Sequence, residues 1–599
     1  MTRRPTHPSG QRKPYLNLIE STILDKMTTP TSPDIRLLHG LSVPLRDGVR
    51  LSADVYLPAA AGPFPTIVTR TPYESGRDVF IELGVWWAER GYAFAVQDCR
   101  GRFESEGTFH AYFPDIEDGY DTLAWLSTQP WCNGQIGSWG RSYGALTQWL
   151  TAPLQSPHLA CMAPHVICDD FFSDCHYIGG AFQLLLSLGA ATIWETNLAT
   201  VAGSQSRHLF QNRKFWDHLP LIDLDERAIG RKIPYWREWL EHPTYDAYWE
   251  RCNTMHRHNR IAAPAFQQCG WFDPYTAAGF RNYNGMVENG ATPAARGQQR
   301  MLVGPWSHEV PDSTRMGDLD FGADSLLDIR EYERRWFDWQ LKGVSGGIAD
   351  EPPIRLFVGG INQWRFEHEW PLSRTRYDTF YLHSGGHANS VTGDGSLSTE
   401  PPDKEPPDHF IYDPAEPVPT LGGNLSVRLM TTHAEQPLEG GPVDQQASEC
   451  RGDVLVYTSE VLKRDLEITG PISVTLYAES SARDTDFTAR LNDVDQQQTS
   501  RVISEGILRA RYRHSLESTE LLEPGEATVL TITLCPACHV FLAGHRLRLA
   551  ISSSNFPRFS RNLNTGEDVA TGTRMQSARQ TVLHTQAFPS HVVLPIIES

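Results

Sequence analysis

Short apolar runs alternate with amphipathic stretches over residues 35–167. The runs at 65–69, 92–97, 134–138 and 161–167 have the length and apolar character of buried strands. Between them, residues 115–126 show the periodicity of a helix. Because strands that alternate with helices form parallel sheets covered on both faces, this pattern predicts an α/β core.

The strand pattern stops over residues 168–263, which are rich in aromatic residues and helix formers. It returns at 265–272 and 301–304, and a helix follows. That helix places Ile329, Tyr332, Trp336 and Trp339 on one face. We therefore expect an α/β domain built from 35–167 and 264–348, with 168–263 inserted as a helical cap.

Helical periodicity is absent after about residue 349. Short alternating runs such as 354–358, 472–477 and 547–551 are bounded by Gly, Pro, Asp and Asn. This spacing is typical of an antiparallel sandwich, and we expect a β jelly roll over 349–599. The polar stretch 1–34 is predicted to be a flexible N-terminal tail.

The charge balance bears on partners and location. Among 599 residues, 72 are Asp or Glu and 53 are Lys or Arg, which gives a net charge of −19. Binding to the nucleic-acid backbone depends on basic side chains, so a nucleic-acid partner is not expected. No apolar run reaches 18 residues, so no membrane span is expected. No signal-peptide-length apolar run precedes residue 35, and a cytoplasmic location is expected.

Ten cysteines in a chain of this length are too few for a disulfide framework. The segment Cys535-Pro-Ala-Cys538-His539 matches the spacing of haem attachment. That attachment belongs to exported proteins, and this segment lies between strand-like runs. A metal site here would lack a second pair of ligands. We therefore expect no cofactor and no metal.

The segment Gly140-Arg141-Ser142-Tyr143-Gly144 matches the nucleophile-elbow pattern Gly-x-Ser-x-Gly. It lies between a strand run and residues 145–150, which predict a helix. The helix N-terminus would present free N–H groups to a developing oxyanion. A second match surrounds Ser345, but it follows a helix and precedes a loop, as a helix end does. Ser142 is therefore the candidate nucleophile, with an ordinary turn serine as the alternative.

A serine hydroxyl needs a general base, and the base needs an orienting acid. In α/β-hydrolases the chain order is serine, acid, histidine. Asp273 directly follows the strand run 266–272, and His308 follows the run 302–306. These two positions are the candidate acid and base. The alternatives are a helix cap for Asp273 and a packed or surface histidine for His308.

Five blocks of sequence resemble one family over about residues 36–599. They are Thr69-Arg-Thr-Pro-Tyr73, Asp98-Cys-Arg-Gly-Arg102, Gly137-Ser-Trp-Gly-Arg-Ser-Tyr-Gly144, Gly270-Trp-Phe-Asp273 and Gly304-Pro-Trp-Ser-His308. The chain resembles the cocaine-esterase and X-prolyl dipeptidyl-peptidase family of α/β-hydrolase serine hydrolases. The resemblance implies an α/β-hydrolase core, an inserted helical cap and a C-terminal jelly roll.

The resemblance also implies site residues. It places the catalytic triad at Ser142, Asp273 and His308, and the oxyanion hole at the Tyr73 hydroxyl and the Tyr143 backbone N–H. Tyr275, two residues after Asp273, is a further candidate for the wall of the substrate pocket.

The chain departs from part of the family pattern. Relatives that hydrolyse α-amino acid esters carry acidic residues just after the catalytic aspartate, and residues 274–278 here contain none. Asp169 and Asp170 resemble the cap acid of that group but lack those partners; a helix cap is the alternative. A requirement for a substrate α-amino group is therefore not expected.

The sequence thus predicts a serine hydrolase that cleaves a carboxylic ester, or an amide, of a small molecule through an acyl-enzyme. One alternative is an X-Pro dipeptidyl-peptidase or another acylaminoacyl or amide hydrolase. A more distant one is a non-catalytic ligand-binding protein. The sequence names neither the acyl group nor the leaving group. It also leaves the oligomeric state open, with a homodimer among the expectations.

Overall fold

The computed structural model describes residues 35–196, 210–308, 313–425 and 438–598. The predicted tail 1–34 lies outside these residues. Two large β-sheets dominate the described chain, one in the N-terminal half and one in the C-terminal half. Ser142, Asp273 and His308, the candidate catalytic residues, each follow a strand of the first sheet.

Strands and helices alternate through the N-terminal half. The strands are β1 Ile35–Pro44, β2 Arg50–Pro58, β3 Phe64–Thr71, β4 Ala93–Asp98, β5 Cys132–Arg141, β6 Leu159–His165, β7 Tyr177–Ile178, β8 Ala181–Phe182, β9 Phe266–Gly270, β10 Arg300–Gly304, β11 Arg315–Met316, β12 Leu319–Asp320, β13 Ile354–Val358 and β14 Gln363–Glu367. The α-helices of the whole described chain are α1 Asp78–Ala88, α2 Phe113–Ser127, α3 Tyr143–Thr151, α4 Leu184–Thr196, α5 Arg213–Trp216, α6 Leu224–Ile229, α7 Pro234–Glu241, α8 Ala247–Glu250, α9 Thr276–Asn289, α10 Pro293–Gly297, α11 Ile329–Lys342 and α12 Gln446–Glu449.

The first sheet has ten strands in the order β1-β2-β4-β3-β5-β6-β9-β10-β13-β14. Its inner strands pair in parallel, from β4 through β3, β5, β6, β9 and β10 to β13. Strands β4, β9 and β10 are buried along their whole length. Parallel sheets need cover on both faces, which explains the apolar runs of β4 and β10. Strand β9 is equally buried although it carries Gln267 and Gln268. The α/β-hydrolase core predicted from the sequence is confirmed.

The inserted segment between β6 and β9 is mainly helical in its described residues. It contains α4 to α8, the two-residue strands β7 and β8, and a π-helical turn at Phe171–His176. Its buried aromatic side chains, including Trp236, Trp239 and Trp249, belong to the same hydrophobic cluster as Tyr143 at the start of α3. The insertion therefore packs directly against the end of the core that carries Ser142.

The pairing of β13 differs from our prediction. We expected residues 354–358 to be a strand of the C-terminal sandwich, but β13 pairs in parallel with β10 of the first sheet, and β14 pairs with β13. The apparent alternation of 354–358 rests on Arg355 alone, since Leu356 and Phe357 are both buried, and such a pattern does not identify the sheet that a strand joins. The predicted boundary at residue 349 therefore precedes the last two strands of the first sheet.

The C-terminal half is rich in strands, as expected. They are β15 Thr375–His383, β16 Ser396–Ser398, β17 Asp408–Tyr412, β18 Leu455–Ser459, β19 Leu466–Ser480, β20 Asp486–Val494, β21 Ser500–Arg509, β22 Thr528–Phe541, β23 Arg546–Ser552, β24 Ala578–Thr585, β25 Phe588–Pro589 and β26 His591–Ile597. Their pairings are antiparallel except for β16 with β18. One large apolar cluster, with Leu476, Leu549 and Ile551 fully buried, forms the core of this half.

Candidate active site

The three residues that the sequence singled out follow three strands of the first sheet. Ser142 follows β5, Asp273 lies three residues after β9, and His308 lies four residues after β10. These strands are parallel, so their carboxyl ends share one edge of the sheet, where α/β proteins bind ligands. The sheet therefore places the three residues at one edge, where Asp273 and His308 are in contact.

Ser142 has the backbone conformation of a tight strand-to-helix turn. Its φ of 52° and ψ of −119° place it in a region that non-glycine residues rarely adopt. The Ser142 N–H donates to the His165 carbonyl of β6 at 3.0 Å, and the Ser142 carbonyl accepts from Ala145 and Leu146 at 2.9 Å. The turn is thus fixed on both sides, and α3 begins at the next residue.

The glycines that flank Ser142 differ in what they permit. A Cβ atom on Gly140 would lie 2.5 Å from the carbonyl carbon and oxygen of Gly144. At Gly144, the nearest atoms to such a Cβ would be 3.4 and 3.5 Å away, on Thr69 and Arg70. The close approach of the Gly144 backbone therefore requires glycine at position 140, whereas position 144 has room for a Cβ atom.

Asp273 and His308 are paired at this edge. The His308 Nδ1 atom lies 3.4 Å from Asp273 Oδ1, which also accepts the Tyr275 backbone N–H at 3.1 Å. Asp273 is fully buried, and its Oδ2 atom has no hydrogen-bond partner among the described residues. The Arg141 guanidinium, next to the serine, donates to the His308 carbonyl at 3.3 Å. A buried carboxylate beside a histidine can orient the ring and stabilise an imidazolium.

The Tyr73 hydroxyl lies next to the serine. Burial raises the pKa of Tyr73 above its ordinary value, and hydrogen bonds with the Trp194 indole and the Ser142 side chain partly oppose this rise. The Trp194 Nε1 atom is 3.2 Å from the Tyr73 oxygen. A phenol with a raised pKa stays protonated at neutral pH, so Tyr73 can donate a hydrogen bond to an oxyanion at Ser142.

The Tyr143 side chain is anchored away from the serine. Its hydroxyl donates to Asp115 Oδ2 at 2.7 Å, and the same carboxylate forms a buried ion pair with Arg70 at 2.8 Å. The backbone N–H of Tyr143 begins α3, so it has no acceptor inside that helix. This N–H and the Tyr73 hydroxyl are the two donors expected at the oxyanion hole.

Tyr275 borders the same site. Its ring lies 5.6 Å from the His308 ring, centroid to centroid, with the planes at 68°. The Tyr275 hydroxyl is 3.5 Å from the Cys175 sulfur on the insertion. The predicted wall residue therefore contacts both the histidine and the inserted segment.

The carboxylates near this wall face a cation of the protein itself. Asp174 forms an ion pair with Arg281, and Asp169 lies 3.4 Å from the same guanidinium. Burial raises the pKa of Asp174 to about 7, against the opposing charge of Arg281. Asp170 instead caps the turn at 171–176 by accepting the N–H groups of Phe172 and Ser173. Asp170 therefore has the alternative role considered above, that of a helix cap.

Within the described ranges, no group of three or more His, Cys, Asp or Glu side chains is arranged to hold a metal ion. Cys535 and Cys538 lie on β22, inside a paired strand. No described helix is long and apolar enough to cross a bilayer.

Two residues at the site were not found from the sequence. Trp194 of α4 donates to Tyr73, and Asn424 of the C-terminal half donates to the Trp271 and Asp273 carbonyls. Neither lies in a motif, and each contact spans more than 100 residues of chain. Sequence patterns report local spacing, so they contained no signal for either residue.

Comparisons with known proteins agree with this architecture. Residues 47–309 match the protein-family model described as X-Pro dipeptidyl-peptidase (S15 family). Residues 346–593 match the family model described as X-Pro dipeptidyl-peptidase C-terminal non-catalytic domain. The cocaine esterase of Rhodococcus sp. (strain MB1 Bresler) is 37% identical over 582 residues, which cover 93% of this chain and 98% of that protein.

Solved structures show the same fold. An α-amino acid ester hydrolase aligns with a TM-score of 0.77 at 25% identity, covering 95% of this chain and all of that one. An aminopeptidase from a marine-sediment Thaumarchaeota archaeon aligns with a TM-score of 0.82 at 24% identity, covering 94% of this chain and 97% of that one.

The fold and the strand-end serine are those of an α/β-hydrolase enzyme. The chain belongs to the serine hydrolase family that includes cocaine esterase and the S15 X-Pro dipeptidyl-peptidases.

Proposed function

We propose that this enzyme hydrolyses carboxylic esters of small molecules through an acyl-enzyme, with Ser142 as the nucleophile, His308 as the general base and Asp273 as the orienting acid. The observation that carries the proposal is the geometry at the carboxyl edge of the first sheet. Ser142 occupies a tight turn with positive φ before α3, and the Asp273–His308 pair follows two strands of the same sheet.

Each residue of the site has its own role in the proposed reaction. Ser142 Oγ attacks the ester carbonyl carbon while His308 accepts the hydroxyl proton, and Asp273 stabilises the resulting imidazolium. The Tyr73 hydroxyl and the Tyr143 N–H hold the negative oxygen of the tetrahedral intermediate. His308 then returns the proton to the leaving alcohol, and the acyl group remains on Ser142. Water activated by His308 releases the acid and restores the serine.

The substrate class follows from the charges beside Tyr275. An enzyme that requires a substrate α-ammonium needs a free carboxylate to bind it. Asp169 and Asp174 already face Arg281, and residues 274–278 contain no acid. Esters without an α-amino group are therefore the favoured substrates, and we propose that Tyr275 forms part of the pocket wall.

Release of dipeptides from an X-Pro N-terminus is the second candidate, because residues 47–309 match the S15 family model. This activity also has to bind an N-terminal ammonium, so the Arg281 pairing argues against it. Hydrolysis rates for matched aryl esters, with and without an α-amino group, and for X-Pro anilides separate the two functions. Faster hydrolysis of X-Pro anilides would favour the peptidase.

The direct test of the nucleophile is Ser142→Ala, which we expect to lower kcat by on the order of 10⁶. A fluorophosphonate probe should label the wild-type peptide that contains Ser142 and leave Ser142→Ala unlabelled. Ser345→Ala, at the second Gly-x-Ser-x-Gly match, is the matched control and should keep full activity. Esterase activity retained by Ser142→Ala would contradict the proposal, and absent labelling of the wild type would favour a binding protein.

Three broader features are also proposals. We propose a catalytic domain of 35–167 and 264–367, whose first sheet includes β13 and β14, a helical cap of 168–263, and a jelly roll formed by the strands that follow, β15 to β26. We propose a cytoplasmic location, which the ten free cysteines support. A homodimer remains a proposal that analytical ultracentrifugation can test.

A further inference from the structure

One side chain of the C-terminal half reaches the loop that carries Asp273. Asn424 is fully buried, and its Nδ2 atom lies 2.8 Å from the Trp271 carbonyl and 3.4 Å from the Asp273 carbonyl. Both facing atoms are acceptors, so the amide group must present its NH₂ end to them. Asn424 is thus bound to the backbone on both sides of Phe272.

Asn424 is itself held firmly in its own domain. Its backbone N–H donates to Glu505 Oε1 at 3.0 Å. Glu505 is buried and is bound by the Asn555 amide at 3.0 Å, by Arg490 at 3.3 Å and by an ion pair with Arg558. A buried carboxylate that accepts hydrogen bonds on both of its oxygens has little freedom to move. Glu505 therefore fixes the backbone position from which the Asn424 amide extends.

The neighbouring residue shows how close this approach is. Gly423 has a φ of +80°, and a Cβ atom there would lie 1.9 Å from Glu505 Oε1. Only glycine allows the chain to pass Glu505 at this distance and in this conformation. The segment 423–424 is therefore shaped by its contact with Glu505.

The loop that Asn424 binds determines where the Asp273 carboxylate lies. The Asp273 carbonyl also accepts the Thr276 hydroxyl at 3.0 Å, and the Asp273 N–H donates to the Gly270 carbonyl at 2.9 Å. The contact of Asp273 Oδ1 with His308 Nδ1 is 3.4 Å, at the long end of hydrogen bonding. A small movement of the loop backbone would break this contact, so the contact depends on the hydrogen bonds that hold the loop in place.

We propose that Asn424 is a positioning residue for the Asp273–His308 pair, so that the C-terminal domain supplies part of the catalytic geometry. The inference rests on the proposed function, in which Asp273 orients His308. Asn424 contacts only backbone carbonyls in this loop and acts on the reaction through Asp273.

Loss of the Asn424 amide should lower the rate of the chemical step. Without the Asn424 amide, the loop carrying Asp273 relaxes and the imidazolium loses part of its carboxylate support. Misplacement of a catalytic group lowers the rate of the chemical step, and we expect kcat to fall about tenfold with little change in KM. The acidic limb of the kcat/KM profile moves to lower pH, because the imidazolium is less stabilised.

The test uses the full-length enzyme with an aryl ester as substrate. Asn424→Ala and Asn424→Leu both remove the amide and keep the backbone N–H that binds Glu505. Asn389→Ala is the matched control, because the Asn389 amide also donates to two backbone carbonyls, those of His409 and Gly452. No hydrogen bond among the described residues joins it to Glu505 or to the 271–273 loop. Asp273→Asn is combined with Asn424→Ala, and folding is checked by circular dichroism and thermal unfolding.

The inference is supported if Asn424→Ala shows the tenfold loss and the displaced limb, if Asn389→Ala keeps wild-type values, and if Asn424→Ala adds no further loss in the Asp273→Asn background. Wild-type kcat and pH profile in a folded Asn424 variant, or an equal loss in Asn389→Ala, would overturn it. Failure of both Asn424 variants to fold would assign the amide a structural role and would also overturn it. If Asp273→Asn alone kept full activity, the proposed function itself would be wrong.

Discussion

The indole N–H of Trp194 donates a hydrogen bond to the Tyr73 hydroxyl oxygen at 3.2 Å. Trp194 belongs to helix α4 of the insertion, and Tyr73 follows β3 of the core. Because the Tyr73 oxygen accepts the Trp194 N–H, its own O–H proton points in another direction. The other side chain that hydrogen-bonds with this hydroxyl is Ser142. The insertion thus helps to orient a donor at the serine.

Trp194→Phe keeps an aromatic ring and removes this hydrogen bond. We expect kcat to fall about tenfold, because a hydrogen bond to a group in the site is lost while packing is largely kept. Steady-state kinetics on an aryl ester provide the measurement. Trp239→Phe is the matched control, because the Trp239 ring lies 6.2 Å from Trp194 and its indole N–H has no partner among the described residues. Equal losses in the two variants would contradict the prediction.

Tyr73→Phe removes the hydroxyl itself. We expect a loss of roughly 10²–10³ in kcat, with KM nearly unchanged, because the donor acts on charge that develops in the transition state. In this background Trp194→Phe should have little further effect. A kcat within twofold of wild type would exclude Tyr73 from the oxyanion hole.

Gly140→Ala introduces a methyl group where the backbone of Gly144 already lies 2.5 Å away. Because backbone atoms must move, we expect a loss of about 1–3 kcal/mol in the free energy of unfolding, together with a large loss of activity. Denaturant unfolding and esterase assays measure the two effects. Gly144→Ala, where the space is larger, should cost much less, and the opposite ranking would refute this account of the turn.

His584 predicts a pH dependence of stability. Burial lowers its pKa, but the hydrogen bond to Asp408 at 2.9 Å and the charges of Asp408 and Glu405 outweigh burial and raise the pKa above 6.5. The folded protein therefore binds this proton more tightly than the unfolded chain does. The stabilisation is complete below the unfolded-state pKa and is lost as the pH rises through the folded-state pKa.

Unfolding midpoints measured from pH 6 to pH 9 should therefore fall more steeply for the wild type than for His584→Gln. His514→Gln, at an exposed position of the same domain, is the control and should follow the wild type. Parallel curves for the wild type and His584→Gln would show that His584 binds its proton equally in both states.

Much of the fold could be predicted because its strands are buried on both faces. Short runs rich in apolar residues identified β3, β4, β6, β9 and β10, and β5 was identified from Ile136 and the elbow motif that follows it. Ser142, Asp273 and His308 follow three of these strands. Their catalytic roles stay predictions until the variants are measured. Our assignment of β13 to the C-terminal sandwich was wrong, because apolar residues show that a strand is buried but not which sheet it joins. Trp194 and Asn424 could not be predicted, because only the folded chain brings them to Tyr73 and Asp273.

The attachment of β13 and β14 to the first sheet limits how the gene can be divided. The first family match ends at residue 309 and the second begins at residue 346, so the gap between them suggests a place to divide the protein into two fragments. A fragment ending there would lose β13 and leave β10, the strand before His308, as an unprotected edge. Expression of the N-terminal half alone should therefore extend through Glu367 if its sheet is to keep both neighbours of β10.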